Sequence, residues 1–291
     1  MTFSAVVAPS RRSPWRMGLR RFLRHRIAAA SALVLLLMVG AAIFAGPISG
    51  HDPNAIDLFG IRAAPSSEHW LGTDSTGRDV LSRLLFAARV SLGVGVASAA
   101  IAVVIGTLLG SLAGLLGGWV DGLVMRLVDV FMSFPALVIL LVVAGVLGPS
   151  LLTIVIGIGL FQWPVCGRLV RGVTLSLREQ EYVQASRATG AGPFWIMTRH
   201  IIPAALPPVS VVATLAVAQA IELEATLSFL GLGIQPPSAS WGNMLTDAQS
   251  LTVIKSEPWL WLPAGIAIAV TVLAVNFVGD GLRDAVDPRQ A

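Results

Sequence analysis

The sequence predicts an all-α polytopic membrane protein with six transmembrane helices and both termini in the cytoplasm. Of its 291 residues, 55% are hydrophobic and only 12% are charged, about half the charged share of ordinary soluble domains. Long stretches without a charge recur along the chain, and a helix needs roughly 20 such residues to cross a bilayer. Arginines flank these stretches, and an excess of arginine is typical of cytoplasmic loops.

The first four predicted spans lie in the first 170 residues. Ile27–Ala45 is uncharged and just long enough to be an uncleaved first helix. A cleaved signal peptide is the alternative, but its apolar core would be shorter, and Ile43 interrupts the small-residue cleavage pattern. Val90–Val120 is the second span. Val130–Gly167 is also charge-free, and Gly148-Pro149-Ser150 interrupts it, which predicts a helical hairpin.

The last two spans and the arginines complete the topology. Ile201–Ile221, continuing past two glutamates, is the fifth span, and Pro258–Gly279 is the sixth. Residues 1–26 hold seven arginines, so the N-terminus is expected in the cytoplasm. The predicted division is a basic cytoplasmic segment at 1–26, a first helix at 27–46, an extracytoplasmic loop at 47–88, a membrane core at 89–280 and a cytoplasmic tail at 281–291.

A polar stretch, YVQASRATGAGPFWIMTRHIIP (182–203), lies between two apolar spans. Ser176–Thr189 is rich in helix formers, and Gly190 is well placed to end that helix in a left-handed conformation. A second short helix is expected from about Pro193 to about Pro203. Two short helices joined at a glycine form a projecting surface to which another protein can bind. The alternative is an amphipathic helix that anchors to lipid headgroups.

Six sequence blocks stand in the order and at the spacing of one protein family. They are HWLGTDSTGRDVLSRLL (69–85), GGWVDGLVMRLVDVFMSFP (117–135), SLREQEYVQASRATGA (176–191), LSFLGLGIQPP (227–237), WGNML (241–245) and GDGLRDAVDPR (279–289). These blocks resemble the dipeptide/oligopeptide/nickel group of ABC-importer permeases, specifically the second, C-type subunit. The resemblance covers roughly residues 20–289 and implies the type I ABC importer permease fold.

The polar stretch is similar to the EAA loop of that family, whose pattern is EAA, three residues, Gly, nine residues and I-x-L-P. The matching positions here are Gln184, Ala185, Ser186, Gly190, Ile202 and Pro203. Gln184 replaces the glutamate of the pattern, and Glu181, three residues earlier, is the candidate substitute. Ser186 replaces an alanine, His200 an isoleucine and Ile202 a leucine. The resemblance implies that this loop, at about 171–205, couples the chain to a cytoplasmic ATPase.

The resemblance also implies the partners and the activity. It implies half of a heterodimeric pore, completed by a B-type permease subunit, that moves small peptides inward across the bacterial or archaeal inner membrane. An extracytoplasmic substrate-binding protein delivers the solute, and two cytoplasmic ATPase subunits or domains hold ATP and Mg²⁺. Nickel or another small solute is the alternative substrate.

No catalytic or metal site is predicted in this chain. A P-loop needs the pattern GxxxxGK[ST], and the only lysine, Lys255, follows an isoleucine. There is one cysteine, Cys166, and the four histidines are scattered without an HExxH pattern. The arginines lie at the ends of apolar runs rather than on a basic face, so nucleic acid is not an expected partner.

Two sets of residues are candidates for the translocation path and for helix packing. Ionisable residues within a span are costly and are often functional, so Glu222 and Glu224 are expected to line the path or to pair with Arg89. The alternative places both glutamates in water near the outer surface. Weaker path candidates, which inter-helix hydrogen bonds explain equally well, are Gln162, Gln219 and Asn276. Glycines recur every fourth residue at Gly106, Gly110, Gly114 and Gly118, which predicts a close helix–helix seam within the chain or across the subunit pair. Loose packing is the alternative.

Two functions from other classes remain as alternatives. A membrane scaffold would use the loop only to recruit a partner. An ion-coupled secondary transporter would work without nucleotide and would need a central acidic relay, which only Glu222 and Glu224 could supply. The order of the six blocks favours the ABC importer.

Overall fold

The computed structural model describes residues 21–286 as an assembly of helices. The helices are α1 (Arg26–Ile43), α2 (Ala45–Ser49), α3 (Val80–Leu116), α4 (Gly118–Ser133), α5 (Ala136–Leu147), α6 (Leu151–Arg178), α7 (Glu181–Ala188), α8 (Pro193–Ile196), α9 (Ile202–Phe229), α10 (Trp241–Met244), α11 (Leu251–Ser256) and α12 (Leu262–Val286). The basic segment predicted at 1–26 lies mostly outside the described residues, as does the end of the tail.

Five long helices within residues 21–286 can cross a membrane by length and composition. They are α1, α3, α6, the continuous helix from Pro193 to Phe229, and α12. A sixth crossing follows if α4 and α5 count as one span, although these two helices meet at an angle of 85°. The six predicted spans therefore correspond to five long helices and one bent pair.

The predicted boundaries need correction at three places. α3 begins at Val80 rather than Val90, because the Asp79 carboxylate accepts a hydrogen bond from the Ser82 backbone N–H (2.6 Å) and caps the helix. The third span is not one straight helix, because α4 ends at Ser133 and α5 begins after Pro135. α12 begins at Leu262 rather than Pro258. The hairpin break at residues 148–150 is confirmed.

The packing of α3 against α6 uses the predicted glycine repeat. A methyl group on Gly106 would lie 2.6 Å from the Cβ of Cys166, and one on Gly114 would lie 2.6 Å from the Cβ of Thr174. A methyl group on Gly110 would collide with the carbonyl oxygen of Gly167. Gly118 is different, since it follows the end of α3 and has open space around it. The seam therefore lies within this chain and contains three of the four glycines.

Two ion pairs join α4 to α6. Arg171 pairs with Asp121, and Arg168 lies 3.0 Å from Asp129. Both pairs lie toward the end of α6 that leads into the polar stretch.

The opposite end of the bundle is covered by two long connections, residues 50–79 and 230–261, which we call the cap. Trp241 of the second connection is buried, and its indole N–H donates to the carbonyl of Leu84 in α3 (3.1 Å). Val80 and Leu260 belong to the same buried apolar cluster. The cap is thus packed onto the first turns of α3.

Candidate functional site

The candidate site is the segment of residues 181–203, which we call the loop segment. The helix predicted over Ser176–Thr189 is split, because α6 ends at Arg178 and α7 begins at Glu181. The side-chain amide of Gln184 donates to the carbonyl of Arg178 (3.0 Å). That bond satisfies one of the carbonyls that the end of a helix leaves without an intrahelical partner.

α7 ends as the sequence predicts, at a glycine in a left-handed conformation. Gly190 has a φ of +86°. Its N–H bonds to the carbonyl of Arg187 (2.9 Å), and the N–H of Ala191 bonds to the carbonyl of Ser186 (3.0 Å). This pair of bonds is the Schellman motif, which glycine favours because it lacks a Cβ. The motif reverses the chain within two residues and leaves α7 projecting from the bundle.

The second short helix does not end near Pro203, so that prediction is wrong. α8 begins at Pro193 and runs through a widened turn, Met197–Ile201, directly into α9. In that turn the N–H of Ile202 bonds to the carbonyl of Met197, five residues back. Pro203 lacks an N–H and follows the widened turn directly, so the helix continues past it without that hydrogen bond.

A small apolar core attaches the loop segment to the bundle. Val183 of α7 and Ile201 of the widened turn are both fully buried, and Ile196 is 2% exposed. They cluster with Leu115 at the end of α3 and with Leu177 at the end of α6. The loop segment is therefore fastened to the ends of three long helices, α3, α6 and α9.

The residues of the predicted ATPase-coupling loop lie on the outside of this core. Glu181, Gln184, Ala185, Gly190 and Pro203 are exposed, and Ser186 is half-buried. The exposed residues project away from the bundle, where a partner can reach them.

Ser186 and His200, two departures from the EAA pattern, contact each other. The hydroxyl of Ser186 lies 3.2 Å from Nε2 of His200. The imidazole also stacks near Tyr182 and Trp195, with ring centroids 5.4 and 5.1 Å apart. Sequence reasoning missed this contact, since a separation of fourteen residues across a glycine turn carries no periodic signal. The two polar substitutions fit together, so the shape of the loop is kept.

Glu224, one of the two predicted path glutamates, is enclosed within the chain. Its side chain is fully buried, and its two oxygens accept hydrogen bonds from Ser91 (3.1 Å) and Ser228 (2.7 Å). The Ser91 hydroxyl also accepts a hydrogen bond from the N–H of Trp241 (3.1 Å). The carboxyl group thus links α3, α9 and the cap. Arg89 does not reach it and instead donates to the carbonyls at the end of α1.

Glu222 and Gln219 lie on a different face of α9. Both are exposed, and they share one stripe with Leu215, Thr226 and Leu230. This spacing of three and four residues places them on one side of a helix. The stripe faces away from the rest of the chain.

The two remaining path candidates are less exposed. Asn276 is half-buried on α12. The amide nitrogen and oxygen of Gln162 on α6 are both buried and have no hydrogen-bond partner within residues 21–286. An unpaired buried amide costs about 1–3 kcal/mol, so Gln162 is a polar group without a structural role in this conformation.

A polar cavity of about 180 Å³ opens between the cap and the top of the bundle. Four charged residues from both cap connections and α3 line it, namely Asp74, Arg78, Arg83 and Asp247. Nε of Arg78 lies 2.8 Å from Asp74, and Nε of Arg83 lies 3.3 Å from it. Asp74 is therefore paired with both arginines.

The two carboxyl groups of the cavity differ electrostatically. Burial raises the pKa of Asp74, but hydrogen bonds from the backbone of Arg78 and from Thr76 outweigh burial and hold the pKa below its ordinary value. Burial, together with the nearby charge of Asp74, raises the pKa of Asp247 despite the arginines Arg62 and Arg83. Hydrogen bonds and positive charge therefore offset the burial of Asp74 but not that of Asp247.

Comparisons with known proteins agree with this architecture. Residues 106–291 match the family described as the binding-protein-dependent transport system inner membrane component. Residues 13–65 match the N-terminal transmembrane domain of oligopeptide transport permease C. A solved chain of the MetNI methionine ABC transporter, in inward-facing conformations, shares the fold with a TM-score of 0.56 and 22% identity. The match covers 70% of this chain and 96% of that chain.

Full-length relatives are considerably closer in sequence. A Brucella suis protein with the provisional name of peptide permease is 46% identical over 97% of this chain and 93% of its own length. The glutathione transport system permease protein GsiD of Pectobacterium atrosepticum is 41% identical, with coverage of 99% and 95%. GsiD of Escherichia coli O6:K15:H31 is 43% identical, with coverage of 96% and 91%. The chain therefore belongs to the binding-protein-dependent inner membrane component family, as a C-type permease subunit of an ABC importer in the dipeptide/oligopeptide group.

Proposed function

We propose that this permease subunit imports small peptides and that the loop segment couples it to cytoplasmic ATPase subunits, which bind ATP and Mg²⁺. The observation that carries the coupling role is the attachment of an exposed short helix to three long helices through one buried core. A force on α7 reaches α3, α6 and α9 together, because Val183 shares one buried apolar cluster with residues of all three. A headgroup anchor has no need of such attachment.

The proposed orientation places the loop segment in the cytoplasm and the cap outside. Ala185 is exposed on α7, and Leu251 is 76% exposed in the cap. Single cysteines at these positions, in a Cys166→Ser background, serve as matched probes. In intact cells a membrane-impermeant thiol reagent should label Leu251→Cys directly and Ala185→Cys only after permeabilisation. The reverse labelling would overturn the orientation.

The same two variants test the coupling. With cysteines introduced around the proposed docking groove of the ATPase, Ala185→Cys should form a disulfide to the ATPase, whereas Leu251→Cys should not. ATP should change the yield, because closure of the ATPase pair moves the groove. Equal yields from both positions, or none from Ala185→Cys in an assembled complex, would refute the docking role. In that complex we also expect Gly190→Trp to uncouple ATP hydrolysis from transport, since it strains the left-handed turn.

We assign the translocation path to the exposed stripe of α9 rather than to Glu224. Gln219, Glu222 and Thr226 give that stripe a polar centre, and a polar stripe in lipid is costly. The proposed B-type permease subunit would cover it and form the other wall of the path. Gln162 and Asn276 are secondary candidates that become paired when the helices rearrange. Glu224 then serves to hold the cap on α3 and α9.

The cap is the proposed contact for the extracytoplasmic binding protein. Its cavity is lined by two arginines that pair with Asp74 and by one carboxyl group, Asp247, whose burial is not offset by nearby positive charge. A basic side chain of the binding protein would complement Asp247.

Peptides are the proposed cargo because relatives that match along nearly their whole length are named for peptide and glutathione transport. The test is ATP-dependent uptake of labelled dipeptides, tripeptides and glutathione by vesicles that contain the reconstituted importer and its binding protein. Uptake of a peptide, but not of free nickel, would support the proposal. Nickel uptake without peptide uptake would refute it and leave the ABC permease assignment intact.

A further inference from the structure

Three metal-ligating side chains from separate parts of the chain meet in the cap. They are His51, His69 and Asp79, and one ligand atom from each lies within 4.8 Å of the other two. The two imidazole rings are tilted by 37° to each other, with centroids 5.1 Å apart. Nδ1 of His69 is 2.9 Å from Oδ2 of Asp79. The two histidines stand eighteen positions apart in the sequence, and no short sequence motif predicts this cluster.

Hydrogen bonds to Ser82 hold the backbone of His51 and the carboxylate of Asp79 in position. The carbonyl of His51 accepts from the hydroxyl of Ser82 (2.8 Å), and the second carboxylate oxygen of Asp79 accepts from the N–H of the same serine (2.6 Å). The first turn of α3 therefore orients the carboxylate of Asp79 and fixes the backbone of His51, whose Nε2 lies 3.2 Å from the carbonyl oxygen of Glu68. Bonds from outer groups that orient the ligands are a regular feature of metal sites in proteins.

The backbone of His69 is also held. Its carbonyl accepts from the N–H groups of Ser66 (2.8 Å) and Gly72 (2.9 Å). The side chain of His69 is 15% exposed and that of Asp79 is 4% exposed, whereas His51 is exposed to solvent. The cluster thus has two sheltered members and one accessible member, which leaves a route for an ion and an open side for a further ligand.

We propose that His51, His69 and Asp79 bind a divalent transition-metal ion, with Zn²⁺ as the best match. Two imidazoles and one carboxylate are ligands that Zn²⁺ accepts, at about 2.0–2.2 Å each. Such bonds in a tetrahedron place ligand atoms about 3.3 Å apart. His69 and Asp79 are already that close, and the exposed ring of His51 must move by about 1.5 Å. Nε2 of His51 now lies 3.2 Å from the carbonyl oxygen of Glu68, a contact that the ring gives up if this nitrogen binds the metal.

The charge balance also favours a cation. With both imidazoles neutral, the three ligands carry one negative charge, so a bound Zn²⁺ leaves one net positive charge and an open fourth position. A water molecule or a carboxylate of a docking protein completes the coordination. The site joins both ends of the first cap connection to the start of α3, and so acts as a cross-link of the cap.

A purely structural role predicts something different for the same residues. His69 and Asp79 form a hydrogen bond that supports the capping of α3 whether or not a metal binds. His51 is not needed for that bond. The decisive variant is therefore His51→Gln, which removes an accessible ligand and leaves the cap of α3 intact.

The experiment measures zinc binding by the assembled importer, purified through a tag without histidine and stripped with a chelator. Competition with a chromogenic chelator should show about one tight site that depends on this chain. His51→Gln and His69→Gln should each weaken that site by more than about tenfold, since even outer partners of metal ligands contribute that much. His200→Gln, at the far end of the bundle, is the histidine control and should bind like wild type.

A second measurement, thermal unfolding with and without zinc, distinguishes loss of the metal site from damage to the cap. Zinc should raise the thermal unfolding temperature of the wild-type and His200→Gln complexes, because a ligand of the folded state stabilises it. It should not raise that of His51→Gln. Equal zinc affinity and equal thermal shifts in wild type and His51→Gln would overturn the proposal, and so would an equal loss in His200→Gln.

Discussion

Replacing Gly110 with alanine should drive α3 and α6 apart. The added methyl group would collide with the carbonyl oxygen of Gly167, an atom of the backbone of α6. Backbone atoms cannot rotate out of the way as a flexible side chain can. The two helices must therefore separate by several tenths of an ångström or more along a seam that Gly106 and Gly114 also hold close.

The size of the effect follows from two opposing terms. Overpacking a well-packed core costs about 1–3 kcal/mol, while alanine in place of glycine recovers up to about 1 kcal/mol of helix propensity. Gly93 lies on the same helix with nothing within 4 Å of an added methyl group. Gly93→Ala therefore gains the propensity term alone. The difference between the two variants isolates the overpacking term of about 1–3 kcal/mol.

The assay is thermal unfolding in detergent, followed by the fluorescence of the eight tryptophans. A difference of 1–3 kcal/mol corresponds to a melting temperature roughly 2–10 °C lower for Gly110→Ala than for Gly93→Ala. Melting temperatures that agree within error would show that α3 and α6 do not pack as closely as this structure places them, and the seam would have to be rejected.

Three further predictions concern the loop segment, the cap and the path. The contact between Ser186 and His200 should contribute about 0.5–1.5 kcal/mol, measured as the coupling energy of a double-mutant unfolding cycle with Ser186→Ala and His200→Ile; a coupling of zero would show that the two side chains do not interact. Because the pKa of Asp247 is raised in the folded protein, its ionised form is destabilising. Asp247→Asn should therefore stabilise the protein at neutral pH. In melting experiments at several pH values, this gain in stability should shrink as the pH falls toward 3.8, the ordinary pKa of an aspartate. A loss of stability at neutral pH would contradict the prediction. Glu222→Gln should reduce peptide uptake about fivefold to tenfold, which corresponds to a free-energy difference of about 1–1.4 kcal/mol. The melting temperature should not fall. Unchanged uptake would remove Glu222 from the path.

Hydrophobic length and glycine placement predicted the parts of this fold that local physics controls. The span of α1 and the break before α6 follow from runs of apolar residues and from Gly148-Pro149. The left-handed turn at Gly190 follows from the absence of a Cβ. Each of these features depends on residues that are neighbours in the sequence.

The features that sequence reasoning missed depend on contacts between distant residues. Pro203 was expected to end a helix, yet a widened turn next to it lets the chain run on, because the buried Ile201 holds that turn against the bundle. Glu224 was expected on a path or in water, yet serines on α3 and α9 enclose it. The cluster of His51 with His69 exists only once the cap has folded. No local pattern encodes such pairings.

The unbroken helical path from Pro193 to Phe229 has a mechanical consequence. Its 37 residues span about 55 Å at the rise of an α-helix, with the loop segment at one end, the Glu224 network near the other, and the widened turn and Pro207-Pro208 between them. A rod converts a small rotation at one end into a large displacement at the other. A tilt of about 5° at the loop segment moves the far end by about 5 Å, enough to shear the hydrogen bonds between Glu224 and Ser91. We therefore expect motion of the loop segment to reach the serine–glutamate network through this helix.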